Sequence, residues 1–220
     1  MITLPDFDKA FEYENNFYLS CDNTRLSKIL SHYEYFKMVK DLPGAIIDCG
    51  VFKGTSLVRF AGFRDLFGNA SSHKIIGFDT FDDFPETEFK RDKKYRERFI
   101  SNAGGQSISV EQLETVLENK DVNKNIELVA GDINETVPKY VEENPNLKIS
   151  LLNLDTDIYE PAVTILKYLY PRIVRGGLLL LDDYGEFPGE TKAVDDYFAG
   201  TDVVIKKSPF AMTPCYIVKP

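Results

Sequence analysis

Ile149-Ser150-Leu151-Leu152-Asn153-Leu154-Asp155-Thr156-Asp157-Ile158-Tyr159-Glu160-Pro161 is a largely apolar run of strand length that ends in two carboxylates two residues apart. Alternate side chains of an extended chain share a face, so Asp155 and Asp157 converge. A lone Asp-x-Asp at a strand end reads as two solvated loop acids. This one gains weight because the chain repeats the pattern. The run 45–47 ends in Asp48, 74–78 in Asp79, 126–131 in Asp132, and 178–181 in Asp182 and Asp183.

Between these runs the sequence predicts helices over 55–66, 110–120, 134–143 and 161–170. Strands alternating with helices imply a mostly parallel sheet covered on both faces, because parallel strands need crossover connections. The carboxyl ends of such strands share one edge, where ligands bind. The aspartates therefore line one rim. A helix over 190–198 and two closing strands, 203–207 and 215–218, follow; the turn-rich link 208–214 suits an antiparallel return. The expected fold is α/β and Rossmann-like, a seven-stranded, mostly parallel sheet with an antiparallel last strand.

At 220 residues the chain fits one domain, 1–220, with a helical cap over 1–44 and a core over 45–220. In the cap, Leu26, Ile29, Leu30, Tyr33 and Phe36 recur at helical spacing after a capping Asp22-Asn23-Thr24, and Pro43-Gly44 ends the helix. The aromatic stretch from Phe11 to Tyr18 is a candidate cover over the site. The longest irregular region is 82–109, which leaves the rim after Asp79. It reads as a charged solvated loop, with a lid over the site as the alternative. Its basic stretch from Lys90 to Arg98 offers charge to a phosphorylated acceptor.

A net charge of −9 argues against a nucleic-acid surface, which carries a basic excess. Cys21, Cys49 and Cys215 form neither a disulfide framework nor a zinc spacing, which suits a reducing compartment. The opening residues show no charged then apolar leader, and no stretch approaches membrane-spanning length. A cytoplasmic protein with no membrane partner is expected. Two histidines give little material for a Ser-His-Asp triad or a multi-histidine metal site.

Asp48-Cys49-Gly50-Val51-Phe52-Lys53-Gly54-Thr55 is a strand end, a glycine turn and a helix start. Its glycines admit close backbone approach, and the helix start offers free amides. It lacks both the Gly-x-Gly-x-x-Gly of dinucleotide folds and the lysine register of a P-loop. A cofactor with ribose but no phosphate, such as S-adenosylmethionine, tolerates this looser turn. Asp79 is placed for the ribose hydroxyls and Asp132 for an adenine amino group. Asp155, Asp182 and Asp183, from strands expected to be neighbours, suit a hard divalent ion, with magnesium the natural choice. Without an ion they would repel and raise each other's pKa.

Together, Val51-Phe52-Lys53-Gly54, Gly77-Phe78-Asp79-Thr80-Phe81, Phe84-Pro85-Glu86, Leu154-Asp155-Thr156-Asp157-Ile158-Tyr159-Glu160 and Asp182-Asp183-Tyr184-Gly185, with Pro188-Gly189 and Ala193-Val194-Asp195 after them, resemble the macrocin-type (TylF/MycF-like) O-methyltransferases. The resemblance runs over about residues 24–200. It implies a class I methyltransferase fold and magnesium- and S-adenosylmethionine-dependent methylation of a sugar hydroxyl on a small glycosidic acceptor. By position it implies Asp155, Asp182 and Asp183 as metal ligands, Asp157 as general base and Asp79 on the ribose. Asp48, Gly50, Phe52, Gly54, Thr55, Thr80, Asp132 and Asp155 complete the cofactor set. Three residues depart from the family pattern: Asp48 where glutamate is common, Thr156 where glycine is frequent, and Glu186 where some members carry histidine. Oligomeric state is open, a homo-oligomer included.

Two other readings compete. A nicotinamide-dependent oxidoreductase explains Asp79 but leaves the acids of the fourth and fifth strands idle and lacks the pyrophosphate glycines. A non-catalytic member of the fold has no need of so concentrated an acidic cluster.

Overall fold

A computed structural model describes residues 2–220. Helices α1 (Ala10–Ser20) and α2 (Asn23–Val39) precede a core of β1 (Ala45–Cys49), α3 (Thr55–Phe67), β2 (Ile75–Asp79), α4 (Lys90–Ala103), α5 (Val110–Asn119) and β3 (Ile126–Ala130). The core continues with α6 (Ile133–Glu143), β4 (Ile149–Leu154), α7 (Tyr159–Tyr168), β5 (Ile173–Leu181), α8 (Pro188–Phe198), β6 (Lys206–Lys207) and β7 (Cys215–Val218). The seven strands lie in the order β3-β2-β1-β4-β5-β7-β6, with β1 to β5 parallel and β7 antiparallel to both its neighbours. This is the expected sheet. No helix of the described residues is long and apolar enough to cross a membrane.

Strands β1, β2 and β4 are buried along their whole length, because helices cover both faces and leave no solvent side for polar alternation. One apolar cluster packs Ile47, Phe78, Leu152 and Leu179 against α6, α7 and α8. The other packs Ile46, Ile75, Leu151 and Leu178 against α2, α3 and α5. The chain reverses order between β1 and β4, so the crevice at their carboxyl ends is the natural binding place.

Three expectations need correction. The region 82–109 is not irregular: α4 occupies its middle. Its sequence is so polar that no apolar stripe announces a helix, and the residue it buries completely is an acid, Asp92. Asp92 accepts the Tyr159 amide at 2.9 Å, so an α4 side chain satisfies the free first turn of α7. In α2 the buried face is Ser31, His32, Tyr35, Phe36 and Val39, whereas Leu30 is exposed. Two polar groups on that face are fully partnered: the Ser31 hydroxyl meets that of Ser208 at 2.7 Å, and the Tyr35 hydroxyl donates to the Pro214 carbonyl at 2.6 Å, whereas His32 is bonded only through Nδ1, to Arg59. Finally, the penultimate strand is Lys206–Lys207 alone.

At Gly50 the backbone takes φ +90°, and a Cβ would stand 1.7 Å from the Asp155 carbonyl oxygen. Glycine is what lets the β1 turn lie against the Asp-x-Asp loop. Gly62, inside α3, has open space around its Cβ position. Gly50→Ala should therefore lower stability by about 3 kcal/mol, while Gly62→Ala leaves it unchanged or raises it by up to about 1 kcal/mol. Urea midpoints of the two variants measure the contrast.

Candidate active site

The carboxyl edge of the sheet opens into a cavity of about 470 Å³. Gly50, Phe52 and Thr55 line it from the β1 turn, Asp79 and Thr80 from β2, and Asp132 from β3. Asp155 and Asp157 follow β4, and Asp182 and Asp183 follow β5. The structure thus brings together all the expected site residues except Asp48 and Gly54.

Those two sit behind the wall. Asp48 is fully buried, and its oxygens accept from Ser56 Oγ at 2.7 Å and Asn153 Nδ2 at 2.8 Å. Its expected place on the cofactor is corrected to a brace between β1, α3 and β4. The acid has no face left for a ligand. Gly54 starts α3 at φ +82°, and a Cβ there would press on Leu113. Its role is the turn.

Asp79 ends β2 with one oxygen accepting the Phe52 amide at 3.0 Å and the other the Phe81 amide at 2.7 Å. Both residues have positive φ, 48° and 53°, a conformation that costs energy for a bulky side chain. Asp79 holds both in place. Each carboxylate oxygen takes about two donors, so capacity remains on the cavity side. Asp132 spends Oδ1 on capping α6, accepting from the Asn134 amide at 2.8 Å.

The acidic end is the densest part of the site. Asp155, Asp182 and Asp183 each offer an oxygen, all within 4.8 Å of one another. That spread is close to the roughly 4.2 Å between two oxygens on opposite sides of a magnesium ion. Asp182 Oδ1 and Asp183 Oδ2 are buried without a hydrogen-bond partner, which an oxygen-seeking cation would remedy. The donor set fits a hard divalent ion. Asp157, at φ +62°, turns its carboxyl into the same space. Burial, then the charge of Asp155, raises Asp157 well above the usual carboxylate range. Burial raises Asp155 and Asp183 likewise, with Asp182 adding to the first and Asp157 to the second.

Three groups in this end escaped the sequence reading. Glu190 of α8 is fully buried; Oε1 accepts the Asp183 amide at 3.0 Å, Oε2 has no partner, and burial raises its pKa well above normal. Lys28 of α2 sets its ammonium 2.6 Å from Asp182 Oδ2 and 3.6 Å from Asp155 Oδ2. Burial disfavours that charge, but the two aspartates outweigh it and hold the lysine above its ordinary range. Arg25, one turn earlier, also lines the cavity. The signal was present in the spacing: Lys28, Ser31, His32 and Tyr35 recur at three and four, a polar stripe on the face that α2 buries.

Other expectations resolve by position. Phe84, Pro85, Glu86 and, from α4, Phe99 form one wall of the cavity. The basic residues expected to meet the acceptor do not line it: Lys90, Lys93, Lys94 and Arg98 face solvent, and Arg96 donates to the Phe84 and Pro85 carbonyls. The stretch from Phe11 to Tyr18 lies on α1, which buries no residue, and contributes nothing to the lining. Glu186 is exposed, and Thr156 is buried against the cavity.

The strand order, the single reversed strand and the cavity beside Asp79 define the fold of the class I S-adenosylmethionine-dependent methyltransferases. The crystal structure of CalS11, a calicheamicin methyltransferase, matches with a TM-score of 0.73 and 25% identity, over 98% of this chain and 86% of its own. The model of the macrocin-O-methyltransferase (TylF) family matches residues 21–208, and the chain belongs to that family. A tetracenomycin-C rhamnosyl 4'-O-methyltransferase of Streptomyces olivaceus is 25% identical over 158 residues, 71% of this chain and 58% of its own length. The demethyldecarbamoylnovobiocin O-methyltransferase of Streptomyces niveus is 25% identical over 170 residues, 74% of this chain and 61% of its own. The chain thus spans about three fifths of each of these relatives.

Burial pushes Asp48 up to about 6 from 3.8, while the Asn153 and Ser56 hydrogen bonds pull it back. Between those values the native state binds more protons than the unfolded chain. This contribution is therefore complete below 3.8 and is lost as pH rises through about 6. The shift corresponds to roughly 3 kcal/mol. Asp48→Asn should flatten that part of the profile when denaturation midpoints are compared from about pH 4 to about pH 7.

Proposed function

We propose that the chain is an S-adenosylmethionine-dependent O-methyltransferase that acts on a sugar hydroxyl, with magnesium held by Asp155, Asp182 and Asp183. The acceptor class is a natural-product glycoside, a nucleotide-sugar or a surface glycan. The observation that carries the reading is the meeting of Asp157, the three-aspartate cluster and Asp79 in one cavity. Membership in the macrocin O-methyltransferase family, and relatives whose names describe O-methylation of a rhamnosyl polyketide and a novobiocin precursor, support it.

When bound, S-adenosylmethionine supplies the electrophilic methyl and magnesium the Lewis acidity that eases ionisation of a hydroxyl. The chain supplies the rest. Asp157 takes the hydroxyl proton on its carboxylate. Asp79 holds the ribose hydroxyls with the acceptor capacity left by Phe52 and Phe81. Gly50 lets the β1 turn sit flush with the Asp-x-Asp loop, fixing the distance between the cofactor side and the base. Phe84, Pro85 and Phe99 wall the cavity against water, which strengthens every charge interaction inside. A pair of neighbouring hydroxyls fits the convergent acids better than one alone.

Asp157→Asn should bind S-adenosylhomocysteine like wild type by calorimetry yet lose about 10²- to 10⁴-fold in turnover. The assay uses methyl-labelled S-adenosylmethionine with a panel of rhamnosides and nucleotide-activated deoxyhexoses. A wild-type rate in the variant would exclude Asp157 as the base. Excess chelator should abolish transfer by the wild type and added magnesium restore it; undiminished turnover in chelator would remove the metal from the reading.

A further inference from the structure

The acidic cluster already contains a cation of its own. Lys28 Nζ lies 2.6 Å from Asp182 Oδ2 and 3.6 Å from Asp155 Oδ2, which are two of the three residues proposed to hold the metal. This is not a chance surface pair. Asp182 is 8% exposed, and its side chain has no other hydrogen-bond donor. The helix that carries the lysine is fixed in rotation by a capping Asp22, by the Ser31–Ser208 pair and by Tyr35 on the Pro214 carbonyl. Nearby, Arg59 is bonded to His32 Nδ1 at 3.0 Å rather than to an aspartate of the cluster.

A divalent ion and this ammonium need the same oxygens. Asp182 Oδ2 directs its lone pairs at Lys28, and two cations held by the same carboxylates repel each other at such short range. The lysine can yield, because its charge rides on a flexible four-carbon stem, its side chain is 30% exposed, and it borders the open cavity. We infer that Lys28 is a built-in counter-cation that occupies the acidic cluster until a divalent ion displaces it, and that it thereby sets the metal affinity of the site. The inference rests on the reading of Asp155, Asp182 and Asp183 as metal ligands. It adds a competitor that tunes how much metal the protein requires.

The test is manganese binding, read as free ion by electron paramagnetic resonance, for wild type, Lys28→Met and Asp182→Ala. Lys28→Met keeps the apolar stem and removes the charge. It should bind manganese at least about tenfold tighter than wild type, and in chelator it should melt below wild type, with the gap closing as manganese is added. Asp182→Ala should lose binding. Equal or weaker binding by Lys28→Met, with Asp182→Ala still defective, would overturn the inference and leave the metal site standing. No binding by either wild type or Lys28→Met would remove the metal site, and the inference with it. A readout independent of any variant is the Cε signal of Lys28 in protein with labelled lysine. It should shift as magnesium saturates the site, and a signal unchanged at saturation would overturn displacement.

Discussion

Negative charge is gathered at the carboxyl edge of this sheet faster than ordinary solvation can support it, and much of the local architecture answers that constraint. Each acid is compensated differently. Asp48 is closed off by Ser56 and Asn153, Asp79 by the amides of Phe52 and Phe81, Glu190 by the Asp183 amide, and Asp182 by the Lys28 ammonium. Asp48, fully buried behind the wall with both oxygens occupied, serves the scaffold. Acids that line the cavity with acceptor capacity to spare, Asp182 and Asp183 through an unpartnered oxygen and Asp79 through its remaining lone pairs, are those that can serve a ligand.

Among the described residues, three of the five non-glycine positions with positive φ lie at the same edge. Phe52, Phe81 and Asp157 adopt positive φ without being glycine, and Phe52 and Asp157 line the cavity. Such conformations persist only where surrounding contacts over-determine them. Asp79 does so for the first two residues through their amides. For Asp157 the Glu190 amide donates to its carbonyl at 3.2 Å, while Glu190 Oε1 accepts from Asp183. One buried glutamate thus ties the loop after β4 to the loop after β5. The spacing between the proposed base and the proposed metal ligands is set by that tie.

The sheet and its rim were legible in the sequence because short apolar runs ending in aspartate carry both strand and site in a single pattern. Asp79, Asp155, Asp157, Asp182 and Asp183 meet as the spacing implied. Helices α2 and α4 were harder for one physical reason: polar residues take part in their buried faces. Hydropathy spacing picks out Leu30, which is exposed, and passes over Lys28 and His32, whose burial depends on partners distant in sequence. Asp92 is the extreme case, since a fully buried acid inside a run of lysines and arginines looks like solvent until the helix start it satisfies is known. Asp48 shows the converse, a residue in the right motif whose oxygens are claimed by Ser56 and Asn153.

Asp92 also connects the cavity wall to the proposed chemistry. Its Oδ2 accepts the amide of Tyr159, two residues after Asp157, and lies where a Cβ on Gly189 would come within 1.9 Å. Glu160, one residue further on, accepts the amides of Glu88 and Phe89 just before α4 begins, at 2.9 and 3.1 Å. The amino end of α4 is therefore fastened to α7 from both sides, whereas its carboxyl end runs out at Gly104, which has nothing within 4 Å of a Cβ position. Phe99, in the last turns of α4, lines the cavity and packs its ring on those of Phe52 and Phe84, 5.3 and 5.4 Å away. The start of α4 and the loop after Asp157 hence share one anchor in Asp92. A shift of the amino end of α4 would therefore also strain the loop that holds Asp157.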